Sequence, residues 1–193
     1  MSNKQRRQKK LQARTEKAKR ARRKRAMEES GPIPDHRVME KAMWGIFGHF
    51  QEGGSAPSTP LHQAQALCYE AVEQDDPDIQ VQMAQHALAI SPDCADAYVL
   101  LAENAHSRRE ELEMYEQGMA AGERALGPEP FQNDVGHFWG ILETRPYMRA
   151  RLGLAHALWT VGRREEGVRH LQDMLRLIRM TTKEFATPWR SSC

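Results

Sequence analysis

Residues 67–92 read LCYEAVEQDDPDIQVQMAQHALAISP, and residues 154–175 read LAHALWTVGRREEGVRHLQDML. Laid over one another, the two stretches agree by offset. Leu67 to Leu88 and Leu154 to Leu175 are both 21 residues, and Leu67 to Ala84 and Leu154 to Leu171 are both 17. Self-similarity of this kind marks a repeated supersecondary unit that buries its apolar face against its neighbours. Within each copy the small residues Cys68, Ala84, Ala155 and Gly167 stand where two helices would approach closely. Gly162 falls at the reversal between them, where left-handed backbone costs glycine little. Ser91-Pro92-Asp93 ends a helix, because proline cannot continue one and disfavours helical backbone in the residue before it. Each copy therefore predicts two antiparallel helices joined by a short turn.

A middle unit begins at Ala95. Its first helix, ADAYVLLAENA, sets Tyr98, Leu101, Ala102 and Ala105 at matching places, and its second spans about 109–126 with Leu112, Tyr115, Met119 and Leu126. The turn between them is about three residues shorter than in the other copies. No alternating β-branched run from residue 61 onward suggests a strand. The expected fold is all-α, a helical repeat of about three helix pairs over residues 61–177. Between the second and third pairs lies an insertion, residues 128–147, PEPFQNDVGHFWGILETRPY. It gathers Phe131, His137, Phe138, Trp139 and Tyr147 with Asp134, Glu143 and Arg145.

Upstream, residues 31–60 hold HRVMEKAMWGIFGHF at 36–50, with Val38, Met39, Met43, Trp44, Ile46 and Phe47 at near-helical spacing. That spacing predicts a short amphipathic helix that docks on the body or on a partner. QEGGSAPSTP at 51–60 has linker composition, and Pro60 is suited to open the next helix. Residues 1–30 differ in character. Thirteen of the 28 Lys/Arg but only one of the 26 Asp/Glu fall within residues 1–26, giving that tail +12; against a total of +2 the remainder carries −10. With Leu11 and Met27 as the only large apolar residues of 4–29, the tail reads as a solvated segment, disordered or a single helix. The alternative is a basic arm in which Arg6, Arg7, Lys9, Lys10, Arg20, Arg22, Arg23, Lys24 and Arg25 bind phosphates of nucleic acid. Clustered charge suffices for that. No aromatic residue is interleaved, so such binding would be blind to sequence and sensitive to salt.

The pieces ISPDCADAYVLLAE, AGERALGP, DVGHFWGILETRPYMRAR and LAHALW, within residues 84–159, resemble a group of bacterial tetratricopeptide (TPR) repeat proteins. ISPDCADAYVLLAE is also similar to the suppressor-of-tumorigenicity-7 family. The resemblance covers roughly residues 60–177 and implies a TPR-like helical repeat without an assigned chemistry. In such arrays the first helix of each pair lines the concave groove where partners lie. The relatives tend to end the last unit with RLNPNDNQGIRY, where this chain has RLIRMTTKEFAT. Codons exist for residues 178–187 that read NPNDNQGIRY when one base is added in front. The expectation is that residues 178–193 are a frameshifted, non-native tail, in which Trp189 and Cys193 have no designed role. The last helix would then expose an apolar face, since solenoid ends need a cap.

The chain has no GxxxxGK(S/T), GxGxxG, GxSxG or HExxH motif. Its eight histidines are scattered, and His137 with Glu143, six apart, is the nearest approach to a metal pair. No cofactor, metal or catalytic residue is expected. Cys68, Cys94 and Cys193 are an odd number without a close pair, which argues against a disulfide framework and suits the cytoplasm. No membrane span is expected. The candidate partner site is a groove built on Tyr98, Asn104, Trp139, Arg145, Arg149 and His156. There Arg145 and Arg149, four apart on one helix, would clamp a carboxylate or phosphate. The competing expectation is a packed plug whose arginines pair with Glu143 and Asp134. The functional reading is a non-enzymatic scaffold for a protein or peptide partner; the alternative is a nucleic-acid-associated protein acting through the basic arm.

Overall fold

The computed structural model describes residues 35–51, the last seven by backbone path, and residues 59–179. The chain divides into two units, residues 1–36 and 37–193. Asp35 and His36 are the described residues of the first unit. The described residues are all helical or loop, without strands. The helices are α1 (His36–Gln51), α2 (Pro60–Val72), α3 (Pro77–Ile90), α4 (Ala95–Glu103), α5 (Arg108–Leu126), the single turn α6 (Pro130–Asn133), α7 (Arg145–Thr160) and α8 (Arg164–Ile178). A 3₁₀ turn at Phe138–Gly140 precedes α7.

Local chemistry sets these boundaries. Thr59 and Asp76 cap α2 and α3, accepting from the backbone N–H of His62 at 3.2 Å and Asp78 at 2.9 Å, and each is followed by a proline in the first turn. Proline is tolerated there because its missing N–H has no partner in the helix anyway. Ser107 caps α5 through the N–H of Glu110, and Glu110 reaches back to the N–H of His106 at 3.0 Å. That reciprocal arrangement satisfies two otherwise orphaned donors. Gly162, with φ of 89°, reverses the chain between α7 and α8, and Gly127, with φ of 65°, ends α5.

Three pairs follow: α2 with α3, α4 with α5, α7 with α8. Pro77 and Arg164 each open a second helix ten residues after Leu67 and Leu154, so the offsets read from sequence are those of the fold. The first core is made of small residues: Ala64, Cys68, Ala71, Ala84, Ala87, Cys94 and Ala97 with Leu100. Small side chains let α2, α3 and α4 approach closely. α4 is the centre of the array, packing on α2, α3, α5 and α7. Its sequence ADAYVLLAE is apolar on nearly every side, as a helix surrounded by others must be.

The insertion between α5 and α7 is packed. Phe138 is fully buried and forms a tilted and edge-on cluster with Phe131 and Tyr147, with ring centroids 5.2–6.3 Å apart. Buried Thr144 donates to the Phe138 carbonyl, and the N–H of Gly136 donates to the Leu177 carbonyl at 2.8 Å, tying the insertion to the end of α8. Val168, Leu171, Leu175 and Ile178 leave an exposed apolar stripe along α8. Of residues 178–193, on which the frameshift expectation falls, 180–193 lie outside the described residues, as do the linker residues 52–58. No helix among the described residues is long and apolar enough to cross a membrane.

Gly167 is the tightest backbone approach of the last pair: a Cβ there would lie 2.7 Å from the Ala155 carbonyl oxygen. Replacing Gly167 with Ala gains up to about 1 kcal/mol of helix propensity but forces α7 and α8 apart, at about 1–3 kcal/mol. A net loss of about 1 kcal/mol is expected, read as a lower thermal midpoint; an unchanged or higher midpoint would refute the close-packing role.

Candidate functional site

The face formed by the first helix of each pair collects the buried charge. Among the described residues, Arg37, Glu40, Asp96 and Arg149 are the buried charged side chains, and each takes part in the contacts there. Asp96 stands in the first turn of α4, where the helix N-terminus favours an anion. Arg149, one turn into α7, grips it with a fork: Nε to Oδ1 at 2.8 Å and Nη2 to Oδ2 at 2.5 Å. Gln65 of α2 donates to Oδ2 at 2.6 Å. Burial opposes ionisation of Asp96, but Arg149's charge and hydrogen bonds, with the Gln65 amide, outweigh it and hold the carboxyl below its ordinary value. Burial likewise opposes the charge on Arg149, and Asp96 and Glu40 overcome it, so the guanidinium is held charged. The Tyr69 hydroxyl is buried beside this pair; burial first, then the Asp96 charge, pushes its pKa up against the opposing pull of Arg149.

The third nitrogen of Arg149, Nη1, faces outward and donates to Glu40 of α1 at 2.6 Å. Arg145 adds Nη1 to the other oxygen of Glu40 at 3.4 Å, while its Nε donates to the Trp139 carbonyl at 3.1 Å. Arg145 and Arg149, four apart on α7, thus meet on one carboxylate, and that carboxylate belongs to this chain. α1 has three further links. Arg37 pairs with Glu103 at the end of α4 at 3.0 Å, Lys41 pairs with Glu73 at the end of α2 at 2.9 Å, and Trp44 meets His62 edge-on at 5.3 Å between ring centroids. α1 therefore reaches all three pairs. Beside Trp44 the face opens into an apolar pocket lined by Leu61, Tyr69, Leu142, Pro146 and Tyr147.

The other sequence candidates fall elsewhere. Tyr98 donates its hydroxyl to the Pro92 carbonyl at 3.3 Å. Asn104 ends α4, donating to the Leu100 carbonyl at 2.8 Å and to Gln80 at 3.1 Å. His156 is exposed on α7, and Trp139 is about half exposed and joins the cluster through its backbone alone. Glu143 and Asp134 are not the partners of the arginines; Glu40, Asp96 and, for Arg151, Asp173 at 2.5 Å are. The basic-arm residues Arg6 to Arg25 lie outside the described residues. Asp96, Glu40 and Gln65 carry the site and were not singled out from sequence. The signal for Asp96 was an acid in the first turn of an otherwise apolar stretch, a residue type almost never buried without a partner. Cys68 and Cys94 meet with sulfurs 3.6 Å apart as free thiols; the hydrogen bond to Cys94, then burial, raises the pKa of Cys68. No group of three His, Cys, Asp or Glu among the described residues could hold a metal ion.

No family model matches the chain, and neither a curated protein nor a solved structure matches it.

Changing Asp96 to Asn removes the charge that balances a buried guanidinium, at a cost of about 3–5 kcal/mol in chemical denaturation. The depressed carboxyl contributes fully above about pH 4, its ordinary range. Its contribution is lost as pH falls through the lower folded value. The variant should therefore lose less of its stability than the wild type between pH 4 and pH 2. Equal acid sensitivity of the two would show that Asp96 is not stabilised as an anion.

Proposed function

We propose that this chain is a non-enzymatic, TPR-type interaction scaffold that holds a peptide or partner helix on the face built by α2, α4 and α7. One observation carries the reading: that face already takes a helix, α1, by ion pairs that reach all three helix pairs. That face also carries an apolar pocket beside Trp44, and an apolar groove that takes one side of a helix is the surface helix-in-groove recognition uses. The resemblance to TPR proteins points the same way, and the free thiols Cys68 and Cys94 suit a reducing, cytoplasmic setting.

Arg145 is the side chain with which to test it. Its own side chain is largely covered but, unlike Arg149, it does not hold Asp96. In affinity purification with the full chain, proteins captured by the wild type should be depleted several-fold with Arg145→Ala. Identical recovery from a variant with an unchanged thermal midpoint would rule out the groove.

The +12 charge of residues 1–26 supports a second reading, non-specific binding to RNA or DNA. Such binding should weaken steeply between about 50 and 200 mM salt, as counterion release demands. It should disappear when residues 1–29 are deleted. A full chain that shifts no nucleic acid at about 50 mM salt would end this reading.

A further inference from the structure

We infer that α1 is an internal stand-in for the external ligand, and that the partner which displaces it is an amphipathic helix carrying a carboxylate flanked by basic residues. The inference rests on the scaffold reading above and names the chemistry of its ligand. Three features of the docked helix support it.

The first is charge order. Glu40 enters the clamp of Arg145 and Arg149, while Arg37 and Lys41, three residues before it and one after, meet Glu103 and Glu73 on either side. The face thus reads base, acid, base along one helix, and a helix with the charges reversed would meet like charge at every link. The second is the manner of attachment. Long side chains carry its docking. The Lys41–Glu73 link is half in water, with side chains 39% and 41% exposed, and an exposed pair of that kind is worth about 0–1 kcal/mol; the buried side chains of Arg37 and Glu40 carry the rest. The covalent connection of α1 through residues 52–58 makes its docking intramolecular. The third is the apolar pocket beside Trp44, where Leu61, Tyr69, Leu142, Pro146 and Tyr147 leave space of about 60 Å³ next to the docked ring. A partner helix with a bulkier apolar side chain in the place of Trp44 fills that space.

The test uses the full chain and a fluorescein-labelled peptide with the sequence of residues 36–51, followed by anisotropy. In the variant Arg37→Ala/Lys41→Ala the internal helix loses its outer ion pairs while the Asp96–Arg149 pair is untouched. If α1 competes, this variant binds the peptide about tenfold more tightly than the wild type, because the apparent constant scales with the fraction of open groove. A peptide carrying Glu40→Lys should not bind the variant. The single variant Lys41→Ala, at an exposed pair, gives the same direction with a smaller change if the double variant folds poorly. Equal peptide affinity for wild type and variants would overturn the competitor role while leaving the groove a helix-binding site. Equal binding of the Glu40→Lys peptide would overturn the charge rule. No binding by any of the chains, with thermal midpoints intact, would remove the scaffold reading as well.

Discussion

Arg149 spends two nitrogens on Asp96 and the third on Glu40, and the arrangement of this molecule turns on that division. The fork joins α7 to α4, the helix on which the other pairs close. Gln65 extends the network to α2, and Glu40 carries it to α1. One guanidinium therefore fixes four helices relative to one another. Taking two charges out of water costs several kcal/mol per ion, and their attraction returns that only when the geometry is nearly ideal. Here the fork is bidentate and the lone pairs left on Asp96 meet Gln65, so the conditions are met. The pair's value lies in register: α7 cannot slide along α4 without breaking both hydrogen bonds inside a dry interior.

The same guanidinium has an inner and an outer side. On its inner side it is committed to Asp96 and is part of the core. Its outer side, with Arg145, holds Glu40 of α1. The insertion before α7 contributes by a different route. Its aromatic cluster buries Phe138 and Tyr147, and the Trp139 carbonyl then orients Arg145.

Small residues make the array close enough for these contacts. Alanines and Cys68 line the α2–α3–α4 core, and glycines sit where α5 and α8 meet α7: Gly122 against Tyr147, Gly167 against the Ala155 carbonyl. Interiors packed to crystal-like density leave little slack, so a methyl group at such a crossing must move a helix.

The sequence by itself determined the helices and their pairing. Offsets from Leu67 and Leu154, Pro60 in a first turn, Ser91-Pro92-Asp93 as a stop and Gly162 as a reversal are all local features, and helix formation depends on features within a few residues. It also located the arginine pair, since a spacing of four places two side chains on one face of a helix. What occupies that pair was decided by tertiary structure alone. Glu40 and Arg149 are 109 residues apart, and Asp96 and Arg149 are 53 apart. No periodicity connects residues so far apart, and Glu143 and Asp134, the nearer acids, looked equally able to serve. The choice of Asp96 and Glu40 followed from burial. Only the packing of α4 against α7, and of α1 over both, brings those buried carboxylates within hydrogen-bond distance of Arg149.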